Sequence, residues 1–390
     1  MARKGGNFGP FRIFRRIFKK VKITKPNVAS NTTFEIVNQD VYNNWKLVIQ
    51  LFLRIESFVV SNLRVPSESQ LQLLQLSTLV GSQQIIDMVL GLGQNSDLLY
   101  DAVQHKQEDI VKINLENGTD ANCLDHSYRV ILYDCGLDDP DNLNQIMKPI
   151  QMASKTGSLR NVQLLIRHGA NVNARGPLGW TAIHYAAGYT FPEIVKYLLK
   201  NGAEVNPKND HKSMPIHLAA QAGCTSIIEL LIEHGASPVA KGFQGMLPIH
   251  FAIYSGHMKA AQFLVQNGGN DHSADDTGFT PLDFAIKHNR ENIFRLLFKN
   301  GATVRQDSIQ MAITEHSGEM IMPLLGYGLD VNKNASLHEA MKCGCSRCIE
   351  VLKDCIKFGA NIDMKDDEGK TSFECALSKG RLDVFKLLSI

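Results

Sequence analysis

At 390 residues the chain exceeds the usual size of one globular domain, so several domains or an elongated array are expected. Hydrophobic residues make up 44% and charged residues 21%, a balance that excludes disorder over most of the length. The formal net charge is only +2, but nine of the 41 Lys and Arg residues fall within residues 1–34, where there is no Asp or Glu. A basic arm thus precedes a body with 32 basic and 39 acidic residues.

The first predicted element lies in that arm, which with its linker spans residues 1–40. Phe11, Phe14, Phe18 and Val21 fall along one helical stripe with Ile17 beside it. Arg12, Arg15, Arg16, Lys19 and Lys20 fill the other side. A basic amphipathic helix over residues 11–23 fits an anionic membrane surface. The same composition fits a nuclear import signal, a tail that contacts nucleic acid, or a mitochondrial presequence. The plainest reading is a solubilising tail. Charge interrupts the stretch from Phe11 to Ile23 every one or two positions, so it is not read as a secretory signal.

A helix from about Val41 to Val60, bounded by Pro66, is expected to cap the first unit of the array beyond it, giving a segment 41–66. Lys46, Arg54 and Glu56 interrupt it, and no run of about 18 uncharged apolar residues occurs elsewhere. An ordinary spanning helix is therefore not predicted. The eight cysteines form no regular framework, which points to a reduced, intracellular protein. A cytoplasmic location is expected, or a nuclear or membrane-surface one if the arm directs it. Asn31, Asn117 and Asn334, although followed by the glycosylation pattern, then carry little meaning.

From residue 67 onward the chain reads as one array to residue 390. Residues 71–93 look like a two-helix unit, and Asp97-Leu-Leu-Tyr-Asp-Ala with Gly118 looks like a weak copy of the units after residue 148. The strong signal lies between about 148 and 300. Gly169, Gly202, Gly235, Gly268 and Gly301 recur at intervals of 33 residues. In phase with them lie Lys148-Pro-Ile-Gln-Met-Ala, Thr181-Ala-Ile-His-Tyr-Ala, Met214-Pro-Ile-His-Leu-Ala, Leu247-Pro-Ile-His-Phe-Ala and Thr280-Pro-Leu-Asp-Phe-Ala. Pro in a first helical turn forfeits no hydrogen bond, a preceding Thr can cap, and Gly can close the second helix.

This pattern resembles the ankyrin repeat, with its period of about 33 and its Thr-Pro-Leu-His-x-Ala signature. Beyond Gly301 the copies degrade: Asp307-Ser-Ile-Gln-Met-Ala and Ala335-Ser-Leu-His-Glu-Ala follow shortened fingers, whereas Thr371-Ser-Phe-Glu-Cys-Ala follows a full one. Gly118 to Gly169 spans 51 residues, which predicts an insert between Cys123 and Lys148. The resemblance implies an all-α solenoid of helix-turn-helix units with extended finger loops, closed by the helical N-terminal cap. One unit cannot bury its own apolar face, and stacking creates the continuous core.

The resemblance further implies a non-enzymatic scaffold or adaptor that binds a protein partner through finger tips and concave face. The alternative is a membrane-associated effector whose basic N-terminal helix carries the activity. Family positions that vary for binding fall here on Arg175, Leu178 and Trp180; Lys208, Asp210 and His211; Lys241, Phe243 and Met246; and Asp276, Thr277 and Phe279. On the inner helix ends they fall on Tyr189, Gln221, Tyr254, Ser255, Lys287 and His288. Aromatics carry most weight, because they concentrate binding energy. Trp180, Met246 and Phe279 are expected to be exposed.

His184, His217, His250 and His338 occupy equivalent places, which in this family are structural. Cys343, Cys345 and Cys348 space like zinc ligands but lack an obvious fourth, since Cys355 falls where a buried Leu is usual. No phosphate loop, nucleophile elbow or His-Glu-x-x-His occurs. No cofactor, metal or small-molecule substrate is called for.

Overall fold

The computed structural model describes residues 95–123, 147–269, 272–315, 317–330, 355–366 and 368–378, together with residues 332, 338, 353 and 380. The chain divides into two units, Met1–Leu63 and Arg64–Ile390, and every described residue lies in the second. The basic stretch 11–23, the capping helix 41–66, the unit 71–93 and Cys343, Cys345 and Cys348 lie outside the described residues.

Within the second unit, helices come in consecutive pairs. They are α1 (Asn95–Gln104) with α2 (Glu108–Glu116), α3 (Pro149–Thr156) with α4 (Leu159–Arg167), and α5 (Ala182–Gly188) with α6 (Pro192–Lys200). Next come α7 (Pro215–Ala222) with α8 (Thr225–Glu233), α9 (Pro248–Ser255) with α10 (Met258–Gln266), and α11 (Pro281–Lys287) with α12 (Glu291–Lys299). Two irregular members follow among the described residues: α13 (Ser308–Thr314) with α14 (Ile321–Gly326), and α15 (Ser372–Ser378). The first helices form one file, each packed on the next from α1 to α13, and the second helices form another from α2 to α12. Among the described residues there is no strand, only an isolated bridge between Lys365 and Thr371. The architecture is the all-α repeat array that the spacing predicts.

Local chemistry explains each boundary. Proline stands in the first turn of α3, α6, α7, α9 and α11, where the amide it lacks has no helical acceptor. The second helices are amphipathic: α8 buries Ile227, Ile228 and Leu231 while Glu229 and Glu233 face solvent. Gly235 then turns the chain at φ 97°, and Gly169, Gly202, Gly268 and Gly301 repeat that left-handed turn. A Cβ at any of these five would meet nothing within 4 Å, so backbone conformation, not space, requires glycine. Ala186, Ala219, Ala252 and Ala285 are fully buried in the first-helix file and let neighbouring helices approach closely.

The array also tolerates irregular connections. Residues 124–146 fall between α2 and α3, yet α1 packs on α3 and α2 lies against α4. Asn122 ties the flanking units together: its Nδ2 donates to Gly169 O (3.0 Å) and its Oδ1 accepts from Asn171 N (2.7 Å). Asn173 repeats the clasp on Gly202 O and Glu204 N, and Asn332 on Gly359 O and Asn361 N. The insert therefore leaves the repeat geometry intact. Between Gly301 and α13 only residues 302–307 remain, too few for a full finger.

Candidate functional site

The surface is held in place from beneath by one recurring residue. In the five regular units the third residue of the first helix accepts the backbone proton of the residue before that helix. Lys148 N donates to Gln151 Oε1 (2.8 Å), Thr181 N to His184 Nδ1 (3.1 Å), and Met214 N to His217 Nδ1 (3.1 Å). Leu247 N donates to His250 Nδ1 (3.0 Å) and Thr280 N to Asp283 Oδ2 (2.9 Å). Accepting at Nδ1 leaves the imidazole hydrogen on Nε2. His184 Nε2 then donates to Ser213 O (3.1 Å) and His217 Nε2 to Ala240 O (2.9 Å), both on the next finger. Gln151 does the same through Nε2 to Ala174 O (2.8 Å). Burial pushes His184 down to about 4 and lowers His217 as well, so both rings are neutral near pH 7. These histidines are structural, as expected.

Two details differ from the sequence reading. The Thr280 hydroxyl caps α11 by accepting from Asp283 N (3.2 Å), but the Thr181 hydroxyl turns instead to His184 Nδ1 (2.9 Å). Asp283 cannot donate as histidine does. Arg305 Nη2, on the following trimmed finger, lies 3.3 Å from its buried carboxylate. Sequence reasoning missed this pair, because it spans 22 residues and no motif links the two positions.

On this scaffold the fingers stand in register. Arg175, Lys208 and Lys241 recur every 33 residues and are all exposed. Arg175 donates to Lys208 O (2.9 Å) and pairs with Asp210 (3.1 Å). Asp210 N bonds Leu178 O (3.0 Å) and Asp276 N bonds Gln244 O (2.9 Å), so two pairs of neighbouring finger tips lean on one another. Leu178 sits at φ 53°, a left-handed conformation that costs an L-residue about 1–2 kcal/mol. Its side chain is nevertheless 53% exposed. Phe243 is 38% exposed, with His211 edge-on at 5.8 Å. At the inner helix ends Tyr189 is 48% and Tyr254 57% exposed, and Tyr254 meets His288 edge-on at 5.0 Å. Four of the seven exposed large hydrophobic residues among those described thus lie on the predicted surface, within three consecutive units.

The expectation that Trp180, Met246 and Phe279 are exposed is corrected: all three are half-buried. The Trp180 ring lies 5.0 Å from Tyr185 and 5.9 Å from His184, so it braces the finger against its own helix. Phe279 stands edge-on to Phe284 at 6.3 Å and under Lys287 Nζ at 5.0 Å. Lys287 is half-buried too and pairs with Glu315 at 3.3 Å. Aromatic rings beside a helix start bury themselves there before they reach solvent, which spacing alone does not reveal. Met322, Phe358 and Leu377 are exposed outside the predicted surface, where no clean motif fixed the register. No helix among the described residues is long and apolar enough to cross a membrane.

Family models of ankyrin repeats match residues 99–209, 150–242 and 216–308, and a second ankyrin-repeat model matches residues 337–388. Among known proteins the chain is similar to "Protein phosphatase 1 regulatory subunit 27" of Homo sapiens and of Mus musculus, at 38% identity over 42 residues in each case. The match takes in 11% of this chain and spans 27% of the length of those relatives.

Proposed function

The chain belongs to the ankyrin-repeat family, and from that premise we propose a non-enzymatic adaptor that binds a protein partner through its finger tips and inner helix ends. The observation that carries this reading is the exposure of Leu178 and Tyr189, and about two repeats further of Phe243 and Tyr254, along the part of the array that carries Arg175, Lys208 and Lys241. Large apolar side chains left in water at several places along one array favour contact with another surface. Aromatic and arginine side chains concentrate the energy of such contacts. The cation row favours a partner that interleaves acidic groups with apolar ones. The relatives' name describes a regulatory subunit, which supports a binding role as a class. Their partner is not carried over on so short a match.

The test uses the full chain as bait and compares captured proteins between variants. Leu178→Asn, Phe243→Ser and Tyr254→Ser together remove apolar contact while leaving buried groups untouched. Asparagine also suits the left-handed backbone at position 178 better than leucine. The triple variant is expected to lose a specific partner by a factor of roughly 30, about 2 kcal/mol. Glu229→Ala and Glu233→Ala on the outer face of α8 are expected to keep it. A partner that survives the first set, or is lost with the second, contradicts the reading.

A further inference from the structure

The repeat brings three positions to one corner: the third residue of a first helix, the residue that opens the next finger tip, and the fourth residue of the next first helix. Around His217 these are Gly242, where a Cβ would come within 2.7 Å of Nε2, and Phe251, whose ring lies edge-on at 5.3 Å. Around His250 they are Asp275, 33 residues after Gly242, and Phe284, edge-on at 4.8 Å. An aromatic ring closes both corners. At the C-terminal end the same corner holds His338, Asp366 and Cys375. A thiol stands where these two corners have a ring.

A ring nitrogen of His338, a carboxylate oxygen of Asp366 and Sγ of Cys375 all lie within 4.8 Å of one another. His338 and Cys375 are buried and Asp366 is half-buried. Cys375 Sγ donates to Asp366 Oδ2 (3.4 Å), and His338 Nε2 lies 3.1 Å from Lys370 O. We propose that this corner is a zinc site that joins the last two repeats, with His338 from one and Asp366 and Cys375 from the next.

The donor set selects the ion. Imidazole, carboxylate and thiolate together suit Zn²⁺, whereas the thiolate disfavours Mg²⁺ and Ca²⁺. Zinc bonds of about 2.0–2.3 Å in a tetrahedron separate the donors by roughly 3.3–3.7 Å; Cys375 Sγ and Asp366 Oδ2 already stand at that spacing, so His338 needs to close by no more than about one ångström. The ion takes the place of the thiol proton, which passes to solvent. The imidazole stays neutral, its hydrogen on the nitrogen that does not bind. Three protein ligands leave the fourth position to water. No electron moves, and no further reactant is required. The site falls where Ala335-Ser-Leu-His-Glu-Ala follows a shortened finger, so it supplies a coordinate cross-link between weakly matched repeats.

Other repeats furnish the conservative variants. Gln151 does the work of the histidine, Asn209 folds a finger tip by accepting from His211 N and Ser213 N as Asp366 does from Glu368 N and Lys370 N, and Phe284 fills the third place. His338→Gln, Asp366→Asn and Cys375→Phe are therefore expected to fold, which circular dichroism checks. The full chain, stripped with chelator, dialysed against zinc chloride and gel-filtered, is expected to retain one zinc and to melt at a higher temperature than the stripped form. Each variant is expected to lose both the metal and the rise. Replacing Cys343, Cys345 and Cys348 together by Ser is expected to change neither. The proposal is overturned if the native chain retains no zinc or if the three conservative variants still hold it. Loss of zinc in the triple Ser chain alone places the metal on those cysteines and overturns it equally.

Discussion

At His184 one buried imidazole accepts from the Thr181 amide and donates to the Ser213 carbonyl, and it does so only while neutral. Its folded value of about 4 lies below the ordinary 6.5 of an unfolded chain. Between those values the unfolded chain binds a proton that the folded chain refuses, so stability falls as pH drops from 7 towards 4. The loss for His184 alone is about 3 kcal/mol at pH 4, and His217 acts in the same direction. Gln151 shows that an amide makes both bonds without titrating. His184→Gln is therefore expected to match the native chain in urea unfolding at pH 7 and to exceed it at pH 4.5. Equal acid sensitivity in the two chains contradicts the assignment. The histidine series was legible because it recurs with the repeat. The Arg305–Asp283 pair was not, because it replaces a helix-to-finger bond with a contact from a finger whose length is itself irregular.

Among the elements, the helices were legible and the finger packing was not. Proline, small residues and closing glycines lie at a fixed period and carry their own physical reasons, so each regular unit between 148 and 300 declares its bounds. Burial at a finger base depends on which ring of the adjoining helix stands beside it. Trp180 against Tyr185 and Phe279 against Phe284 are contacts of that kind, and no period encodes them. The regular fingers lean on one another through Asp210 N to Leu178 O and Asp276 N to Gln244 O. Residues 302–307 are too short to continue that line. Units between Gly301 and Gly359 are accordingly expected to exchange amide hydrogens first, and units from 148 to 300 last. Uniform protection from residue 148 to residue 378 contradicts this order.

Across the described array, neighbours stabilise neighbours, and the proposed binding surface is a by-product of that stacking. Equivalent positions are brought into line, so a side chain chosen once per repeat becomes a row. The row of Arg175, Lys208 and Lys241 arises in this way; the exposed Leu178, Tyr189, Phe243 and Tyr254 lie along the same array but not at equivalent positions. The family and the register of the rows could be read from spacing; which members of a row reach solvent could not, since exposure is settled by packing. The most direct test of the adaptor reading is a hydrogen-exchange footprint of the full chain with its captured partner. Slowed exchange is expected at the finger tips around residues 175–180, 208–213 and 241–246 and at the helix ends near Tyr189 and Tyr254. The outer helices α6, α8 and α10 are expected to show no change. Slowing confined to those outer helices, with the finger tips unaltered, contradicts the account.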